Sequence, residues 1–156
     1  MKKIKPIIAL ALASLFLTTS CSNKDVSNPN QKETIKYEDG TYRGKSSTYG
    51  QEDDLDSGYA IVTFSVADGK ITECELLTYE LDGTLKGEEY YTNANLDTNQ
   101  KRNAKTAVEA CVEYANMLIS TQSIDDVDCI SGATLNYNQF VDAVNKALKS
   151  GPINTK

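Results

Sequence analysis

The sequence predicts an α+β domain, an antiparallel meander covered by two amphipathic helices, on three observations. Asp68-Gly69 joins two runs rich in β-branched and aromatic residues. The apolar period then changes from two in the first half of the chain to three and four in the second. No Gly-rich phosphate loop of the GxGxxG or Walker type and no internal repeat directs the chain toward a doubly wound or repetitive architecture. With 156 residues and an apolar share of 40%, one domain is the expectation.

The chain opens on a segment that belongs to export rather than to the fold. Lys2, Lys3 and Lys5 precede a nearly unbroken apolar run from Pro6 to Leu17, the charge-then-apolar layout of a secretory signal. The run is too short to span a membrane as a mature helix. It ends in Leu17-Thr18-Thr19-Ser20-Cys21, which resembles the lipobox of bacterial lipoproteins, with Leu17 one place further from the cysteine than usual. That resemblance implies a signal peptide over 1–20 and lipidation of Cys21, on the extracytoplasmic face of a membrane. Residues 21–36 are polar and have little to bury, so they read as a flexible tether with a root-mean-square span of about 20 Å. The domain is expected over 37–150.

Within it, Thr41 to Ser47 reads as a first strand, Gly58 to Ala67 as a second and Lys70 to Tyr79 as a third. The two-residue Asp68-Gly69 link is the favoured type I′ hairpin turn. From Leu81 to Thr92 a turn at Asp82-Gly83 leads to a short extended piece ending in Glu88-Glu89-Tyr90-Tyr91. Ala104, Val108, Cys111, Ala115 and Leu118, flanked by Val112 and Ile119, then form an apolar stripe on a helix from about Asn99 to Thr121. The stripe reads as core packing against one sheet face, not as a cofactor site. A short strand is expected at Val127 to Ile130. A second helix follows from about Asn136 to Lys149, with Asn136 and Gln139 placed as a capping box and Phe140, Val141, Val144, Ala147 and Leu148 facing inward. Gly151-Pro152 ends it.

Composition removes several kinds of chemistry. The chain has no His, so Ser-His-Asp and Cys-His nucleophiles, His-ligated metals and imidazole proton shuttles are excluded. Without the first 20 residues, 13 basic side chains face 22 acidic ones, a formal charge of −9, which makes nucleic acid a poor partner. Cys21, Cys74, Cys111 and Cys129 contain no CxxC spacing, so iron-sulfur, zinc-ribbon and c-haem readings have no support. Cys74, Cys111 and Cys129 sit among apolar neighbours and read as small buried hydrophobes, with a disulfide between two of them left open. The aromatic surface for a planar ligand is tyrosine: Tyr59, Tyr79, Tyr90 and Tyr91 are candidates, each also readable as strand packing. Glu88 and Glu89 read as a solvated turn.

The segment Asp128-Cys129-Ile130-Ser131-Gly132-Ala133-Thr134 places a hydroxyl with little steric cover just ahead of a helix N-terminus. Unpaired N–H groups and the helix dipole favour an anion there. The bland alternative is a strand-to-helix turn with Thr134 or Asn136 as N-cap.

Asp-x-x-Ser-Gly-Ala-Thr ahead of an amphipathic helix resembles the flavinylation motif of FMN-binding domains. The family includes flavin-carrying subunits of the sodium-pumping NADH:quinone reductase and of Rnf complexes, and small lipoproteins. Asp39-Gly40-Thr41-Tyr42-x-Gly44, Gly58-Tyr59-Ala60-x-Val62 and Asp68-Gly69-Lys70-Ile71-Thr72 extend the resemblance over Asp39 to Leu148. It implies that Thr134 carries FMN through a phosphoester, attached by a separate magnesium-dependent flavin transferase that takes FMN from FAD and recognises Asp128, Ser131, Gly132 and Ala133. It further implies an electron carrier rather than an enzyme, lipid-anchored and passing electrons between a membrane donor and an extracytoplasmic acceptor. The competing readings are a flavin-free surface lipoprotein that binds a ligand or partner, and a flavin reductase with its own substrate pocket.

Overall fold

The computed structural model describes residues 36–50, 57–93 and 95–153; the signal-like segment, Cys21 and the tether through residue 35 lie outside them. Strands β1 (Gly40–Lys45), β2 (Tyr59–Ala67) and β3 (Lys70–Tyr79) form an antiparallel sheet in the order β1-β2-β3. The meander and the α+β class therefore stand as predicted. Along β2, buried residues alternate with half-buried ones, Ala60, Val62, Phe64 and Val66 facing the core, because successive strand side chains point to opposite faces.

The hairpin turn has the backbone its residues suggest. Asp68 and Gly69 both take left-handed φ, 54° and 75°, as a type I′ turn requires. The Asp39 carboxylate accepts hydrogen bonds from the Asp68 N–H (3.2 Å) and the Gly69 N–H (2.7 Å). The acid that opens the domain thus fixes a turn 30 residues further on. In β3 the register slips: Glu73 pairs with Ser65 but Ile71 with Val66, leaving Thr72 as an extra residue. That bulge turns Ile71 onto the core face shared by Leu76.

Two long helices cover this face, α2 (Thr98–Thr121) against β3 and α3 (Thr134–Ser150) against β1 and β2. Between sheet and helices lie Phe64, Val62, Leu118, Phe140, Val144 and Tyr114, all fully buried. Tyr42 stacks on Phe64, its direct cross-strand partner, with ring centroids 4.8 Å apart. The helix α3 passes so close to β1 that a Cβ at Gly44 would stand 2.0 Å from the Ala143 carbonyl oxygen. Only glycine fits there, which gives that position of the domain-opening motif a packing cause.

The α2 boundaries match the periodicity within a residue. Its start is fixed by Asp97, whose carboxylate accepts from the Asn99 and Gln100 N–H groups while the Gln100 side chain accepts from the Asp97 N–H, a capping box. Its end is fixed by Gln122 at φ 61°, whose side-chain amide accepts from the Ile71 N–H (2.8 Å) and donates to the Ile71 carbonyl (2.9 Å).

Four expectations are corrected. Glu88 to Tyr91 is not extended: residues Glu88–Thr92 form a short helix, α1, after the Asp82-Gly83 turn and a single bridge from Leu85 to Tyr79. Val127 to Ile130 joins no sheet; a 3-10 turn over Ile124–Asp126 precedes it, and the Ile130 N–H bonds to a side chain instead of a strand. Asn136 and Gln139 do not cap α3, which begins two residues earlier, because the Tyr137 N–H already reaches the Ala133 carbonyl. Cys129 is exposed rather than buried, while Cys111 is buried and Cys74 half-buried, and all three thiols are free.

Candidate functional site

The sheet and the two helices leave a cleft of about 470 Å³ at the end of the molecule where β3 finishes and α3 starts. Thr78 and Tyr79 from β3, Lys86 and Tyr90, and Ala104, Ala107 and Val108 from α2 form its walls. Gly132, Ala133, Thr134, Leu135 and Asn136 close it. Ala104 and Val108, read as core packing from their spacing, are only half-buried. The N-terminal half of α2 walls the cleft, and its buried residues begin at Ala110 and Cys111.

The turn into α3 explains why Gly132 stands where it does. The Ala133 N–H bonds to the Ile130 carbonyl at 3.1 Å across a four-residue turn, and Gly132 at its third position has φ 85°. This is the type II pattern, which needs glycine there. The first helical bond runs from the Tyr137 N–H to the Ala133 carbonyl at 3.0 Å. No side chain caps the helix, so the amides of Thr134, Leu135 and Asn136 begin a 17-residue helix without intrahelical partners. All three residues line the cleft, and Thr134 is exposed.

Of the residues singled out from the sequence, the cleft brings together Gly132, Ala133 and Thr134, with Tyr79 and Tyr90 in its wall. Ser131 and Asp128 are exposed on the approach to it and are not part of the lining. Tyr59 reaches the site only through Tyr79, on which it stacks at 5.4 Å, and Tyr91 does not line it. The Cys129 thiol lies 3.8 Å from the Thr134 hydroxyl.

Sequence reasoning missed several contributors, three of which bear directly on the turn and the cleft. Lys86 brings a cation, its ammonium donating to the Ser57 carbonyl at 2.6 Å and lying 5.1 Å from the Tyr90 ring centroid. Gln139, a capping residue by sequence position, is buried and donates to the Gly58 carbonyl at 3.3 Å. Tyr114 of α2 is wholly buried under the motif, accepting from the Ile130 N–H (3.0 Å) and donating to the Ala133 carbonyl (3.1 Å). Burial pushes its phenol up to about 12 against the pull of the Ile130 N–H. Its position three residues after Cys111 marks Tyr114 as a core residue, but nothing local in sequence reveals the partners of its hydroxyl.

A small α+β domain with a cleft opening on an uncapped helix N-terminus is a binding module for an anionic ligand with a larger planar or apolar body. The FMN-binding domain family matches residues 57–149, more than half of the chain, and the chain belongs to that family. It is a flavin-binding protein, and FMN is its cofactor. A protein of Clostridium perfringens known from a crystal structure is similar to it, 26% identical with a TM-score of 0.55, over 74% of this chain and 88% of that one. A Clostridium thermocellum protein known from a solution NMR structure is 20% identical with a TM-score of 0.40, over 72% of this chain and 91% of that one. No curated protein matches the sequence.

The residues present fit the cofactor. The uncapped α3 amides suit its phosphate, and the glycine turn leaves room for close approach. The volume falls within the ordinary range for a small-molecule site, about 300 to 1,000 Å³. Tyr90, Leu96, Ala104 and Val108 offer aromatic and apolar surface to a ring, and Gln100, Asn103 and Asn136 offer amide groups to its polar edge.

Proposed function

We propose that this chain is a lipid-anchored, extracytoplasmic electron carrier whose FMN is joined through a phosphoester to Thr134. The observation that carries the proposal is the placement of Thr134: an exposed hydroxyl on the first residue of α3, on the rim of the cleft and beside unpaired amides. Attachment is a group transfer from FAD by a separate flavin transferase with magnesium. The Thr134 oxygen bonds to the FMN phosphorus, the FAD pyrophosphate bond breaks and AMP leaves, and the hydroxyl proton passes to a base on the transferase. Ser131, Gly132, Ala133 and Asp128 are the positions that enzyme would read; the exposure of Ser131, Gly132 and Asp128 supports that role.

When bound, FMN accepts and passes electrons singly or in pairs. The chain's own part is to hold and orient. The α3 amides would neutralise the phosphate, the α2 wall and Tyr90 would offer the ring cover from water, and Lys86 supplies positive charge close to Tyr90. The charge-then-apolar segment over 1–20 and Cys21 support the anchored location, with a membrane flavoprotein as donor and an external protein as acceptor.

The test is the intact mass of the protein after incubation with an active flavin transferase, FAD and magnesium. One added FMN less water, visible as fluorescence on a denaturing gel and lost in Thr134→Ala, is the expected result. No gain from a transferase that modifies another substrate in the same tube would overturn the covalent carrier reading and leave FMN held without a covalent bond as the better account.

A further inference from the structure

We infer that Tyr114 is a positioning residue for the acceptor hydroxyl of Thr134, an inference that rests on Thr134 being the site of attachment. The phenol stands beneath the motif at zero exposure and joins its two ends, accepting from the Ile130 N–H at 3.0 Å and donating to the Ala133 carbonyl at 3.1 Å. The turn's own bond, Ala133 N–H to Ile130 carbonyl, uses the opposite pair of groups on the same two residues. All four backbone groups at the ends of the turn are therefore engaged, and the Ala133 peptide, which sets the direction in which Thr134 leaves the turn, is held from both sides.

The ring fixes the other half of the geometry. It packs against Phe140 at 5.8 Å and Tyr137 at 5.7 Å, both on α3. One α2 side chain thus grips the helix with its ring and the turn with its hydroxyl, locking Thr134 relative to the cleft wall. Because burial keeps the phenol neutral through the physiological range, it donates and accepts at once, which a phenolate does not do.

Removing only the hydroxyl separates these roles. In Tyr114→Phe the ring contacts persist and the Ala133 carbonyl retains the Tyr137 N–H, but the Ile130 N–H loses its partner and the turn gains freedom. A misplacement of about 1 Å at a reacting group can cost about a hundredfold in rate. The test is flavin transfer onto the full chain at saturating FAD, with acceptor concentration varied, for the parent, Tyr114→Phe and Val62→Ala. Val62→Ala opens a cavity under the sheet, away from the turn, and controls for lost stability.

The expected result is a drop of about tenfold or more in kcat for Tyr114→Phe with KM for the acceptor little changed, since the folded acceptor is still recognised but its hydroxyl is misaligned. Val62→Ala should keep the parental kcat, and any unfolded fraction should appear as a raised KM. A parental kcat in Tyr114→Phe, equal slowing in both variants, or a change confined to KM would each overturn the positioning role. Failure of the parent itself to accept FMN would instead sink the assignment of Thr134.

Discussion

Gly44→Ala should be far more damaging than the loss of a surface glycine. A methyl group there would lie 2.0 Å from the Ala143 carbonyl oxygen and 2.8 Å from the Ala147 nitrogen, whereas ordinary contact begins near 3.4 Å. Both obstacles are helix backbone, so no rotamer change relieves the clash, and α3 must retreat by the missing 1.4 Å or β1 must bow away. Overpacking of this kind costs about 1 to 3 kcal/mol, and the depth of the overlap places it at the upper end, about 3 kcal/mol. For a domain of this size that is a fall in Tm of about 10 °C. Thermal unfolding followed by far-UV circular dichroism measures it. Gly87→Ala is the matched control: φ is ordinary there and the nearest atoms are the Leu85 side chain at 3.7 Å, so its Tm should stay within about 2 °C of the parent. If Gly44→Ala melts with the Gly87→Ala control, the close approach of β1 to α3 is wrong, and with it the reason offered for glycine in the opening motif.

Three other outcomes follow from the geometry. Asp97→Ala removes both carboxylate bonds at the start of α2 and should cost about 1 kcal/mol in urea unfolding; an unchanged midpoint would show that the capping box contributes nothing. Of Cys74, Cys111 and Cys129, a maleimide should label Cys129 first in the native protein, because it is exposed while Cys74 is half-buried and Cys111 buried; equal labelling of all three, read by peptide mass, would contradict the placement of Cys111 in the core. Burial, aided by the Glu75 charge, pushes the Cys74 thiol from 9.0 up to about 12, and burial pushes the Tyr114 phenol from 10.0 up to about 12. Both groups are held neutral by the fold, so their contribution is complete below pH 9 and is lost as the pH rises toward 12. Tm should fall through that window, and a flat profile to pH 11 would refute the burial of both groups.

What the sequence made legible was what local chemistry controls. Asp68-Gly69 needs only its own backbone preferences to form a turn, and α2 needs only its apolar period. The misreadings were non-local. Val127, Cys129 and Ile130 have strand-like residues, but a strand exists only with a partner, and the Ile130 N–H found the Tyr114 hydroxyl instead. Glu88-Glu89-Tyr90-Tyr91 has no period to distinguish helix from strand, and its tyrosines favour the wrong choice. At the site, Gly132, Ala133 and Thr134 were legible because a turn and a helix start lie within one short motif. Lys86, Leu96 and Asn103 come to the cleft from elements whose placement depends on the finished fold. The start of α3 is hidden for a related reason: Asn136 is a good capping residue by type, but its amide lies against the Cys111 sulfur at 3.5 Å.

Tyr37 ties the start of the described residues to the hairpin: its N–H meets the Gly69 carbonyl at 3.2 Å and its hydroxyl donates to the Gln122 carbonyl at 2.7 Å, beside the β2–β3 turn. The cleft opens at the other end of the same hairpin, next to Thr78 and Tyr79. The length of β2, about 30 Å, separates the two. Tension between the N-terminal side of the chain and a partner held at the cleft would therefore run lengthwise along the strands. Under such a load the six residue pairs between β1 and β2 share the force together instead of opening one after another. The same sheet that supports the cleft would then carry the load in the direction in which hydrogen-bonded strands resist best.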